Sequence, residues 1–140
     1  MKAQEMLKTH PSVRGNASRS LTDCIEACLS CAQTCTSCAD ACLAEESVTQ
    51  MRQCIRLNLD CADLCTATAA LLTRRTGSNA QVLRATLELC GFACQVCSEE
   101  CARHGEAHEH CRVCAQACRD CQKSCHAALP EIVGGARPPH

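Results

Sequence analysis

The sequence predicts an all-α fold, an antiparallel up-down-up-down four-helix bundle with a cysteine-lined core. Three observations carry this expectation. Small and apolar residues recur three and four positions apart, the spacing that places side chains on one face of an α-helix, and no stretch alternates as a strand does. Four such stretches are divided by short polar segments, which makes consecutive helices antiparallel neighbours. The residues on the recurring positions are mostly cysteine: 18 of 140 residues.

In chain order, residues 1–16 hold one short amphipathic turn around Ala3, Met6 and Leu7, followed by a linker, HPSVRG. The bundle is expected over 17–130. Its first helix runs from about Leu21 to Ala44, with Ser18 or Ser20 as its cap, and carries Cys24, Cys28, Cys31, Cys35, Cys38 and Cys42 in an unbroken four-three rhythm. Ser47-Val48-Thr49-Gln50 reads as a capping box for a second helix that ends near Arg75, with Gly77 suited to a left-handed turn beyond it. This helix bears Cys54, Cys61 and Cys65. Ser78-Asn79-Ala80-Gln81 repeats the capping pattern before a third helix that reaches Arg103 and carries Cys90, Cys94, Cys97 and Cys101. The fourth begins between Glu106 and Glu109, bears Cys111, Cys114, Cys118, Cys121 and Cys125, and is expected to stop before Pro130, since proline disfavours helical geometry in the residue that precedes it. Residues 131–140 read as a flexible tail.

Composition narrows the function. The hydrophobic fraction is 46%, but the cysteines supply much of it, and Phe92 is the single aromatic residue. No platform exists for stacking bases. With 14 basic and 15 acidic side chains the net charge is −1, so nothing in the charge attracts nucleic acid or an anionic membrane. The N-terminus has no apolar run of secretory length and no segment approaches the ~20 apolar residues of a membrane span, which predicts a cytoplasmic protein. In a reducing compartment thiols stay free and serve metals or redox chemistry. Disulfides within one helix would constrain little loop entropy in any case.

Four thiol stripes facing one axis line a tube with sulfur. Cysteine is smaller than leucine, so helices spaced ~8–10 Å apart leave volume along that axis for a guest that bonds sulfur. The soft candidates are Cu(I), Zn(II) and iron–sulfur clusters. Charge separates them. Cu(I) replacing each thiol proton leaves the interior near neutrality, whereas each zinc in a Cys₄ site leaves two excess negative charges with no inward Lys or Arg to offset them. Ferredoxin-type iron–sulfur binding uses a C-x₂-C-x₂-C-x₃-C-P loop, and here no cysteine precedes proline. Multiple Cu(I) ions per chain are therefore expected on the striped cysteines, of which one or two could serve only as small buried hydrophobes, and no catalysis. An iron–sulfur electron carrier and a thiol/disulfide redox protein are the rival readings; the latter lacks a single activated thiol beside a charge or a helix N-terminus.

The stripes also predict two unlike ends. At one, the seam continues into Leu21, Leu72, Leu83, Leu87 and Leu129. At the other it reaches Met51, His104 and His108, with His110 beside the fourth helix, so this end is the expected mouth and the three histidines are candidate metal ligands. His10, His126 and His140 read as surface residues. Asn58 occupies a stripe position between Cys54 and Cys61, where an amide needs a partner: water, a backbone group or, weakly, a metal. Leu59, with Ile55 at its margin, faces away from the stripe and suits contact with another subunit.

The repeated stripes at Cys24–Cys42, Cys54–Cys65, Cys90–Cys101 and Cys111–Cys125 resemble the bacterial copper storage proteins, in particular their cytosolic branch. The resemblance covers nearly the whole chain. It implies a tetramer of four-helix bundles that stores Cu(I) on core cysteines, and a role for His104, His108 and His110 at the mouth. It also implies a cytosolic copper donor or acceptor as partner. Exported members have a Met-rich mouth; here Met51 stands nearly alone.

Overall fold

The structure is a computed structural model describing residues 1–134, with side-chain surroundings through residue 132. Among the described residues there is no strand, and the elements are α1 (Ala3–Lys8), α2 (Arg19–Leu43), a 3₁₀ turn (Val48–Met51), α3 (Arg52–Thr73), α4 (Ala80–Arg103) and α5 (Glu109–Gly134). Each long helix packs on its chain neighbour and α5 closes back on α2, while α1 lies against α2. The four long helices therefore form a ring around one axis. The 25 residues of α2 give it a length of about 37 Å, which sets the length of the tube. No described helix is long and apolar enough to cross a membrane.

Helix punctuation agrees with the sequence in part. The Ser18 hydroxyl accepts the Leu21 N–H at 3.3 Å and caps α2 as expected. Gly77 takes a φ of 76°, the left-handed conformation glycine adopts at little cost. The two capping boxes do not form. At Ser47 the chain enters a 3₁₀ turn in which the Gln50 N–H bonds the Ser47 carbonyl at 2.9 Å, so the backbone satisfies itself and the hydroxyl is free to point elsewhere. At α4 the cap position is Asn79 rather than Ser78, and its side chain makes no capping bond.

Pro130 does not end α5, which continues to Gly134. Proline removes one N–H, the donor that would reach the His126 carbonyl, and a helix tolerates this where packing holds the following turn. Ala128 and Ile132 supply that packing, with 0% and 6% of their surface exposed within the core cluster. The expected flexible tail over 131–140 thus begins as helix, and its remainder, including His140, lies outside the described residues.

The core is sulfur through most of its length and hydrocarbon at one end. Leu21, Leu72, Leu83 and Leu87 are buried there, with Leu129 partly buried against them. Leu7 of α1 and Ile132 of α5 join the same cluster and thicken the plug beyond what the stripes alone foretell.

Candidate metal centre

All 18 cysteines are free and buried, and they contact one another in a continuous ladder. The helical rhythm keeps each stripe on the inner face, and the ring of four helices brings the stripes to within 3.5–4.0 Å of each other, from Cys35–Cys118 at the short end to Cys31–Cys61 at the long end. Sulfur contacts cross between helices throughout: Cys38–Cys111 at 3.9 Å, Cys54–Cys101 at 3.7 Å, Cys61–Cys94 at 3.7 Å, Cys28–Cys121 at 3.7 Å and Cys24–Cys125 at 3.9 Å.

Groups of four thiols able to close on one ion include Cys38/Cys42/Cys54/Cys111, Cys35/Cys97/Cys114/Cys118, Cys31/Cys35/Cys61/Cys118, Cys31/Cys65/Cys94/Cys121 and Cys28/Cys90/Cys121/Cys125. Cys31, Cys35, Cys118 and Cys121 each belong to two of these groups. Separate Cys₄ zinc sites need private thiolates, so this overlap suits ions that share bridging sulfur. Among the described residues no Lys or Arg is buried. Nothing cationic offsets excess thiolate charge, which again favours a monovalent guest.

Without metal the thiols share protons. Along α2 the direction alternates: Cys24 is lowered to about 5, chiefly by the Cys125 thiol, Cys28 is raised, chiefly by Cys121, Cys31 is lowered by Cys118 and Cys35 is raised by Cys114. A thiolate is stabilised by neighbours that donate S–H, and those donors then hold their own protons more tightly. Only part of the ladder can ionise at once, and metal must displace the remaining protons.

Asn58 is fully buried within this sulfur. Its Oδ1 accepts from Cys97 at 3.1 Å, Cys114 at 3.2 Å and Cys101 at 3.4 Å, while Nδ2 donates to Cys54 Sγ at 3.7 Å. The amide is satisfied by thiols from α3, α4 and α5, partners that the sequence reading did not include.

The three histidines occupy different positions. His110 Nδ1 lies 3.4 Å from Cys38 Sγ and 3.6 Å from Cys111 Sγ, and its Nε2 lies 2.9 Å from Glu45 Oε2. His108 stacks on His110 with ring centroids 5.7 Å apart and also reaches Glu45 Oε2, through Nδ1 at 3.0 Å. The Nε2 of His108 lies 3.4 Å from the Ser47 hydroxyl, which also donates to Met51 Sδ at 3.8 Å. His104 sits apart, with Nε2 3.2 Å from Glu100 Oε2, and no thiol is within hydrogen-bond reach of it. His110, rather than His104, is the histidine in contact with the ladder.

Burial opposes charge on His110, but its hydrogen bonds with Cys38 and to the Glu45 carboxylate outweigh it and hold its pKa above the ordinary histidine value. Cys38 is lowered to about 6, first by the Cys101 thiol and also by Cys54 and His110, against Cys114 and burial. Its neighbours Cys42 and Cys111 are raised, first by burial. Cys38 is thus the thiol beside His110 whose proton is held less tightly than that of an ordinary cysteine. Glu45 and Glu100 were not foreseen as part of the mouth. The available signal was positional: Glu45 follows the end of α2, and Glu100 precedes His104 by one helical turn.

Comparison with known proteins places this geometry among copper-handling chains. The sequence profile of the family described as "Csp: Copper storage protein" matches residues 17–130. A structure of the copper storage protein Ccsp from Streptomyces lividans, loaded with 10 copper equivalents, is 52% identical, covers 91% of this chain and 97% of its own, and superposes with a TM-score of 0.87. The apo form of copper storage protein 3 from Bacillus subtilis is 32% identical over 76% of this chain and 96% of its own, with a TM-score of 0.65. A cysteine-rich protein of Bacillus subtilis without assigned function is 36% identical over 104 residues, 74% of this chain and 91% of the relative.

Proposed function

The chain belongs to the copper storage protein family, and from that premise we propose that it is a cytosolic, non-catalytic store and buffer that holds many Cu(I) ions on its core thiolates. One observation carries this reading: 18 buried thiols form a single ladder whose four-sulfur groups overlap. Such a ladder accepts ions at many adjacent positions, and each monovalent ion that displaces one proton leaves the interior no more charged than before.

The ligands in this proposal are Cys24, Cys28, Cys31, Cys35, Cys38, Cys42, Cys54, Cys61, Cys65, Cys90, Cys94, Cys97, Cys101, Cys111, Cys114, Cys118, Cys121 and Cys125. His110 is the entry ligand beside Cys38, and His108 and His104 complete the mouth. Contact of His110 with two thiols supports the first assignment, and the shared Glu45 carboxylate supports pairing His108 with it. Ions then move between neighbouring thiolates toward the leucine plug. Assembly into a homo-tetramer belongs to the same proposal, with Leu59, 44% exposed on α3, as an apolar contact. A cytosolic copper donor or acceptor would exchange ions at the mouth.

Anaerobic titration of the reduced protein with Cu(I), in competition with a chromophoric Cu(I) chelator, tests the store. Saturation well beyond four equivalents is expected. Saturation near four, the number that closed Cys₄ sites would give, or preference for Zn(II) over Cu(I), would overturn it. Replacing His110 with Ala should slow loading while leaving capacity nearly intact. Light scattering on the purified protein reads the oligomer directly.

A further inference from the structure

Only two of the 18 cysteines expose any of their surface: Cys38 and Cys125 are each 2% exposed, and the other 16 are 0% exposed. They lie at opposite ends of the ladder. Cys38 lines a small groove with His110 at the mouth. Cys125 lines a groove of about 780 Å³ between α4 and α5, whose wall includes Gly91, Phe92, Glu88, Lys123 and His126. Through Cys125 this groove touches the group Cys28/Cys90/Cys121/Cys125, at the end of the ladder away from the His108–His110 mouth.

Gly91 is what opens it. Glycine in a helix interior is less favourable than alanine, and helical glycines usually answer to close packing or a positive φ. Neither applies. A Cβ at residue 91 would meet only Cys125 Cβ, at an ordinary 3.7 Å, and the φ is not left-handed. A larger side chain here would instead lie across Cys125, so the glycine leaves that edge of Cys125 uncovered.

We propose that the α4–α5 groove is a second, lateral portal, through which Cu(I) carried by a low-molecular-weight thiol exchanges with Cys125. The volume is of small-molecule size. Glu88 and Lys123 present opposite charges at its wall, complementary to a zwitterionic thiol, and His126 brings an imidazole, a ligand for copper, into the same groove. In the exchange the bond from copper to the carrier sulfur breaks as a bond to Cys125 Sγ forms. The Cys125 proton passes to the departing carrier thiolate, and copper stays Cu(I) throughout. The inner thiols then fill without passage along the whole tube. The proposal rests on the storage reading for its cargo, but the accessibility of Cys125 can be measured without metal.

The reduced, metal-free protein is treated briefly with iodoacetamide and its modified cysteines are mapped by mass spectrometry. Cys125 should react several-fold faster than Cys28 and Cys90, and Gly91→Leu should abolish the difference. In stopped-flow loading from a Cu(I)–glutathione complex, Gly91→Leu should slow uptake several-fold with the final copper content unchanged, whereas Gly91→Ala should load like the unsubstituted protein. Equal alkylation of Cys125, Cys28 and Cys90, or unaltered uptake in folded Gly91→Leu, overturns the portal. Should Gly91→Leu fail to fold, the alkylation order in the unsubstituted protein still decides. Failure of the store shows separately, as low copper capacity in the unsubstituted protein.

Discussion

Glu45 ties the mouth together, because one carboxylate oxygen lies within 3.0 Å of ring nitrogens from both His108 and His110. Its pKa is lowered, first by the hydrogen bond with His110, and that of His110 is raised. The two shifts act on stability in opposite directions of pH. A raised histidine pKa contributes stability that is complete below the unfolded value of about 6.5 and is lost as pH rises through the folded value. A depressed carboxylate pKa contributes stability that is complete above the unfolded value of about 4.3 and is lost as pH falls through the folded value. Both contributions are full only between these limits. Glu45→Gln should therefore lower the thermal midpoint of the metal-free protein most near pH 5–6, and the difference should shrink toward the carboxylate's share alone as pH rises through the folded His110 value, as melts across a pH series would show. A difference that grows above pH 8 would refute the pairing. Cys38, in contact with His110, was legible in the sequence as one stripe thiol among many; only its neighbours set it apart.

At the scale of the helices, sulfur and hydrocarbon divide the labour. Thiols are small and bury less apolar surface than leucines, so the metal-free protein relies heavily on the leucine plug. Leu72 is fully buried there, and truncation of such a residue loses both its transfer free energy and the contacts around the resulting cavity. Leu72→Ala should destabilise the metal-free protein by about 2–5 kcal/mol in denaturant melts, with copper capacity unchanged because no thiol is removed. Loss of capacity in the folded variant would mean that the plug shapes the metal sites directly. The elements themselves were largely legible, since a four-three rhythm of small residues admits no other secondary structure. Helix ends were less so. Ser47-Val48-Thr49-Gln50 has the composition of a capping box, yet a 3₁₀ turn satisfies the same backbone and turns the Ser47 hydroxyl toward His108. Pro130 carries a local stop signal that the burial of Ile132 overrides.

For the whole molecule, metal binding and folding are one equilibrium. A ligand that binds the native ladder better than the unfolded chain stabilises it by an amount that grows with the logarithm of its free concentration relative to its dissociation constant, so the thermal midpoint should climb as Cu(I) is added and fall back when a strong chelator removes it. Calorimetry at successive loadings would show this. A constant midpoint would mean that copper binds the unfolded thiols equally well. The rise should be weaker in acid, where protons compete for the same sulfur. Spacing and residue chemistry along the chain determined the four helices, the inward stripes, the leucine end opposite the histidine end and the choice of a soft monovalent guest, because these follow from residue type, position and charge within each helix. Tertiary structure decided which stripes meet, and so that neighbouring four-thiol groups share sulfur, that Asn58 is held by thiols, that Glu45 joins two histidines, and that Gly91 lies beside Cys125. Each of these depends on the azimuth and height of one helix against another. Side-chain packing around the ring sets those quantities, and no spacing within a single segment encodes them.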